Sequence, residues 1–172
     1  SGESQAATKL RKSAGAANVK RQHMGQLQHN KTIIVDGPGV QQVVCGSTNF
    51  SWRGFYVQNN NAVVLTGAHA IAPFQAAFKQ YWTSSQAAAF GASAAAEWVS
   101  LGLADVDAQV AFSPHSAANS VLAGIATDVD STKSSLFYSL AFLSQTGGPI
   151  RKSITKAHAR TDIFVFGMAD KK

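Results

Sequence analysis

The chain holds a single cysteine, Cys45, in 172 residues. An internal disulfide and a metal site built from cysteines are therefore excluded. Also missing is any continuous apolar run near the ~20 residues that a membrane helix needs. The N-terminal SGESQAATKLRKSAG carries basic residues with no apolar run behind them, so it does not read as a secretory signal. Charge is sparse as well: 14% of residues are charged against 45% hydrophobic, which excludes a disordered chain and implies a folded globular one. The length suits one well-packed domain and is short for two.

Acidic residues are scarce at both ends. Residues 1–31 hold six Lys/Arg against one acid, and residues 131–172 hold seven against two. The middle, 32–130, reverses this with two against six. Basic ends suit a polyanionic partner, either nucleic acid or an anionic membrane surface. They suit equally a solvated basic face kept for solubility.

Residues 1–20 are polar and rich in Ala and Gly, and read as an N-terminal loop. Thr32–Val35 and Gln41–Cys45 are β-branched and apolar, and the turn residues Asp36-Gly37-Pro38-Gly39 between them predict a hairpin. Ala62–Thr66 reads as a further strand. Beyond Gly67 the period changes: Phe74, Phe78 and Tyr81/Trp82 fall on one helical face, with Pro73 expected in the first turn. The small-residue stretch after Ser84 reads as a connector, giving a linker over 85–107. From Ala108 onward the order strand, helix, strand, helix, strand (108–113, 121–129, 135–142, 149–160, 163–166) implies parallel pairing. The fold class expected is α/β, a mixed β-sheet flanked by helices.

Within this frame His29, Lys31 and Asp36 form H-x-K-x4-D, and Gly46-Ser47-x-Asn49 follows as G-S-x-N. Strand periodicity of two directs His29 and Lys31 the same way, and the neighbouring strand end can add Ser47 and Asn49. A neutral imidazole can attack phosphorus and carry it covalently. An ammonium offsets charge on the phosphoryl oxygens, while hydroxyl and amide groups donate hydrogen bonds to them. Neither a metal nor a cofactor is called for.

These residues resemble the signature of the phospholipase D superfamily. The flanks are similar too: Asn59–Leu65 resembles the family's next strand, and Phe78-x3-Trp82 its following helix. The resemblance implies a phospholipase D-like fold and a phosphodiesterase working through a phosphohistidine. His29 would be the nucleophile or its acid/base partner. Lys31, Ser47 and Asn49 would bind the substrate phosphate. Asp36, the third signature residue, sits at the turn and suggests orientation and support. Asn60 stands where the family commonly has an acid that orients the imidazole; it can accept a hydrogen bond but supplies no charge. Trp52, Arg53 and Tyr56 after the turn would line a substrate channel or pack beneath the loop. His23 is a polar neighbour, His69 and His158 are surface residues, and Cys45 is a small core residue.

The set occurs once. By resemblance the reaction needs two, one histidine attacking while the other protonates the leaving oxygen. Residues 21–84 resemble the C-terminal half of a phospholipase D-like repeat, and 108–172 the N-terminal half of a second. The partner motif would come from the remainder of a longer chain, the arrangement favoured here, or from a homodimer mate. The substrate is expected to be a phospholipid or, with the same mechanism, DNA or RNA. The competing class is a non-catalytic phosphate-binding module.

Overall fold

The two β-branched runs pair as expected. In the computed structural model, which describes residues 2–23, 29–115, 121–145 and 147–169, Thr32–Gly37 (β1) and Val40–Gly46 (β2) form an antiparallel hairpin. Ala62–Thr66 (β3) adds to β2, also antiparallel, giving the order β1-β2-β3. Gly39 takes φ 77° at the turn, a conformation glycine adopts without penalty. The register sets Ile34 beside Val43 and Val43 beside Leu65, so these three share a face. Val43 on that face is fully buried, with Ile34 and Leu65 packed against the core. The other face presents Ile33, Val35 and Val64, all exposed.

Helix Ala68–Thr83 (α3) covers the buried face with Ala70, Ile71, Phe74 and Ala77. It begins a turn earlier than Pro73 suggests. Pro73 stands at the sixth position, where its missing N–H leaves the His69 carbonyl without its helical donor, and a helix-interior proline costs about 3 kcal/mol. Starting at Ala68 buries Ala70 and Ile71, to 2% and 1% exposure, which offsets that cost. Phe78, expected on the core face, lies outside and stacks on Trp82 at 5.7 Å.

Two expectations from local composition are corrected. Residues 1–20 are not a loop throughout: Gly2–Ala14 (α1) is a helix, with Glu3 in its first turn and Arg11 and Lys12 in its last, matching the helix dipole. It buries no residue, so no core contact marks it. Nor is 85–107 a free linker. Helix Ala87–Gly91 (α4), which comes after the short helix Trp52–Tyr56 (α2) and α3 in the chain, puts Phe90 flat against Tyr81 at 4.4 Å. Ala95, Ala96 and Leu101 are buried in the same core, and Phe112 meets Phe74 edge-on at 5.1 Å. Small side chains here let the backbone pack closely. Strands Val99–Ser100 (β4) and Gln109–Val110 (β5) pair antiparallel, so β5 joins this unit and not the parallel run that follows.

The chain divides into two compact units, Ser1–Ser116 and Ala117–Lys172. In the second, strands Ser135–Leu140 (β6) and Phe164–Ala169 (β7) are parallel, and helix Pro149–His158 (α6) connects them while packing on Val121–Asp130 (α5). Several of its cations are already occupied. Lys156 pairs with Asp130 at 3.1 Å; Arg160 grips both oxygens of Asp162 and donates to the Thr132 carbonyl. The molecule is α/β, with antiparallel and parallel pairing in separate sheets.

Candidate functional site

Because Thr32 pairs with Cys45, the residues just before β1 and those just after β2 leave the sheet at the same end. His29 and Lys31 precede β1 instead of lying within it, and Ser47 and Asn49 follow β2. Asn60 and Asn61 reach the same end because Gly46 pairs with Ala62 at the start of β3. Five sequence-picked residues thus lie in segments at the same end of the sheet: His29, Lys31, Ser47, Asn49 and Asn60.

The His29 ring is exposed and makes no hydrogen bond among the described residues. The Lys31 ammonium donates to the His29 carbonyl oxygen at 2.6 Å, folding the tripeptide back on itself. Partial burial pushes the Lys31 pKa below the usual lysine value. Asn30 between them anchors the segment: its amide donates to the Tyr81 hydroxyl at 2.7 Å, and that hydroxyl donates to the Ser113 carbonyl at 2.7 Å. Asn30 and Tyr81 were not legible as site residues, since nothing in sequence spacing brings position 30 to 81.

After β2 the chain forms a compact turn. The Ser47 N–H bonds the Asn61 carbonyl at 3.0 Å, and Ser47 Oγ accepts from the Asn61 N–H at 3.0 Å. Asn60 accepts from Ser47 Oγ at 3.1 Å and donates from Nδ2 to the Gly54 carbonyl at 3.0 Å. Ser51 caps α2 by accepting from the Gly54 N–H. Asn49 is exposed, and its amide makes no hydrogen bond among the described residues.

Residues 2–82 match the family model described as cardiolipin synthase, PLD-like domain. By this match the stretch is similar to a phospholipase D-like domain. No curated protein and no solved structure matches the chain. The match runs from α1 to the last turn of α3 and so takes in the whole H-x-K and G-S-x-N set. Domains of this type act on phosphodiesters.

Within the matched stretch Asp36 stands apart, five residues along β1 from Lys31, or about 16 Å at strand rise. Its carboxylate accepts from Gln41 at 3.1 Å and Gln75 at 2.7 Å, fastening the far end of β1 to β2 and to α3. Those two bonds, Gln41 first, hold its pKa below the usual carboxylate range. A depressed carboxylate pKa contributes stability at pH values above the ordinary aspartate value of about 4, and that contribution is lost as pH falls through the folded value. Replacing Gln75 by alanine is therefore expected to move the Asp36 titration upward toward the ordinary value, followed by NMR of its carboxyl carbon. An unmoved titration would remove Gln75 from this account.

The aromatic segment after the turn does not pack beneath the loop. Trp52 and Tyr56 are 70% and 77% exposed and contact each other at 5.9 Å. Cys45 packs against the core, and burial pushes its thiol pKa up, so it carries no thiolate character near neutrality. His23, His69 and His158 are exposed, His158 within 2.9 Å of the Tyr138 hydroxyl. Among the described residues no group of three His, Cys, Asp or Glu side chains could hold a metal ion, and no helix is long and apolar enough to cross a membrane.

Proposed function

We propose that this chain is part of a phosphodiesterase that cleaves or transfers a phosphodiester through a covalent phosphohistidine on His29. The observation that carries the reading is the convergence of His29, Lys31, Ser47 and Asn49 at one end of the β1–β2 hairpin, with the imidazole exposed and unbonded among the described residues. In the first step an imidazole nitrogen attacks phosphorus. The P–N bond forms, the P–O bond to the leaving alcohol breaks, and that oxygen takes a proton from a second acid. Water or an acceptor alcohol then attacks phosphorus and breaks the P–N bond. Lys31 and the Asn49 amide offset the charge on the remaining oxygens. Asp36 supports the strand from a distance.

His29 cannot be nucleophile and general acid in the same step. The second H-x-K set would come from the remainder of a longer chain or from a homodimer mate. The matched family's description as a phospholipid-forming enzyme supports a phospholipid substrate over nucleic acid. The exposed Trp52 and Tyr56 with Arg53 beside the turn suit an apolar tail and an anionic headgroup. A phosphate-binding module without turnover is the second reading, favoured by Asn60: its amide is spent on the loop, and the imidazole has no carboxylate partner among the described residues.

The test is rapid quenching during incubation with phospholipid vesicles and, separately, plasmid DNA, followed by mass analysis of the His29 peptide. A substrate-derived phosphoryl adduct on His29 with vesicles alone is the expected result, and with DNA alone it would make the enzyme a nuclease. No adduct and no turnover with either would end the enzyme reading in favour of the binding one.

A further inference from the structure

We propose that Asn60 is a positioning residue for the Ser47 hydroxyl, and that it must be a neutral amide. This rests on the reading of the Ser47–Asn49 turn as a phosphate site. The argument begins with donors and acceptors. Ser47 Oγ already accepts the Asn61 N–H, and its one hydrogen goes to Asn60 Oδ1. At the other end of the same side chain, Nδ2 donates to the Gly54 carbonyl. Asn60 therefore works as acceptor on one side and donor on the other, tying position 47 to position 54 across the loop.

A carboxylate cannot do both. Ionised aspartate at this position has no hydrogen for the Gly54 oxygen and sets an anion against that carbonyl. It would also hold the Ser47 hydrogen by a charge-assisted bond, roughly twice as strong as a neutral one. The neutral amide holds it more weakly, so a phosphate oxygen can compete: on binding, the Ser47 hydroxyl turns from Asn60 Oδ1 to the phosphate while the Asn61 N–H keeps its oxygen in place. No proton is transferred and no bond other than hydrogen bonds changes. Asn60 thus acts on phosphate affinity through Ser47 and does not orient the imidazole.

The experiment measures inorganic phosphate affinity and phosphodiester kinetics for the wild type, Asn60→Asp and Asn60→Ala, with amide hydrogen exchange at Asn61. At pH 7 Asn60→Asp is expected to weaken phosphate binding and raise KM about tenfold or more, with kcat changed less than about threefold. Exchange of the Asn61 N–H, bonded to Ser47 Oγ, should quicken in Asn60→Ala, where nothing holds the Ser47 hydroxyl. Acidification should return Asn60→Asp toward wild type measured at the same pH, since a protonated acid donates to Gly54 as the amide does; Asn60→Ala should not recover. This reversible recovery in one protein separates positioning from misfolding.

A lower kcat with unchanged KM, or an Asn60→Asp variant equal to or better than wild type at pH 7, would overturn the proposal. So would faster exchange with unaltered phosphate affinity, because the clasp would then be structural only. If the wild type turns over no diester, the phosphodiesterase reading fails, while phosphate affinity and exchange still decide this one. Absence of phosphate binding by the wild type would sink both.

Discussion

Replacing His29 by alanine is expected to lower phosphodiester turnover on the order of 10³-fold or more while leaving the fold intact. Alanine offers no atom that can form a bond to phosphorus, so the two-step route is closed entirely. The ring is exposed and makes no hydrogen bond among the described residues, so its removal should change stability by less than about 0.5 kcal/mol. Inorganic phosphate should still bind within a few-fold of wild type, because Lys31, Ser47 and Asn49 remain. Three measurements check this together: turnover, phosphate affinity and thermal unfolding. Turnover that survives in the alanine variant, with Tm unchanged, would show that His29 is not the nucleophile. Lost turnover together with a large fall in Tm would show that the ring has a structural duty that the structure does not display.

The hairpin that carries the candidate site was legible because its signals are local. Asp36-Gly37-Pro38-Gly39 is dense in turn residues, of which Pro38 and Gly39 make the turn, and Thr32–Val35 and Gln41–Cys45 on either side are β-branched and apolar. The motif residues could be grouped for the same reason, since a tight turn also brings the two far ends of its strands together. What escaped depends on distant packing. The start of α3 was misjudged because a rule about proline's own backbone was outweighed by burial of Ala70 and Ile71 upstream. Residues 85–107 looked like a connector because alanine has little pattern to show, yet Ala95 and Ala96 close against α3 where larger side chains would not fit. Helix α1 buries no residue, and its charge order at the two ends is what hinted at it.

The site divides along the same line. His29, Lys31, Ser47 and Asn49 announce themselves by type and spacing. Asn30 and Tyr81, which fasten the His29–Lys31 segment to α3, do not, because their bond spans 51 positions. Asn60 is intermediate. The position was picked out by resemblance, but the substance of its role is the pair of bonds to Ser47 and Gly54, and those exist only once the loop has closed.

Closure of that loop turns on Gly54, and Gly54→Ala should be the most disruptive single-methyl change in the domain. Gly54 is buried in α2, and a Cβ added there would stand 2.0 Å from the Asn49 carbonyl oxygen, 2.9 Å from its carbon and 3.3 Å from its Cα. These are backbone atoms, so no side-chain rotation relieves the clash; either residues 49–51 or α2 must move. Both shifts strike the same groups, since Gly54 donates to the Ser51 cap and receives the Asn60 amide. Over-packing of this kind costs about 3 kcal/mol, which for a unit of this size is a fall in Tm of about 10 °C or more. Phosphate affinity should fall with it, as Asn49 is carried off by its own backbone. Gly37→Ala is the control: an added Cβ there meets nothing within 4 Å, and stability should stay within about 0.5 kcal/mol of wild type. Differential scanning calorimetry of both variants, with phosphate titrations, checks the pair. A Gly54→Ala protein that melts and binds like wild type would mean that the turn is not closed as described, and the positioning role of Asn60 would lose its footing with it.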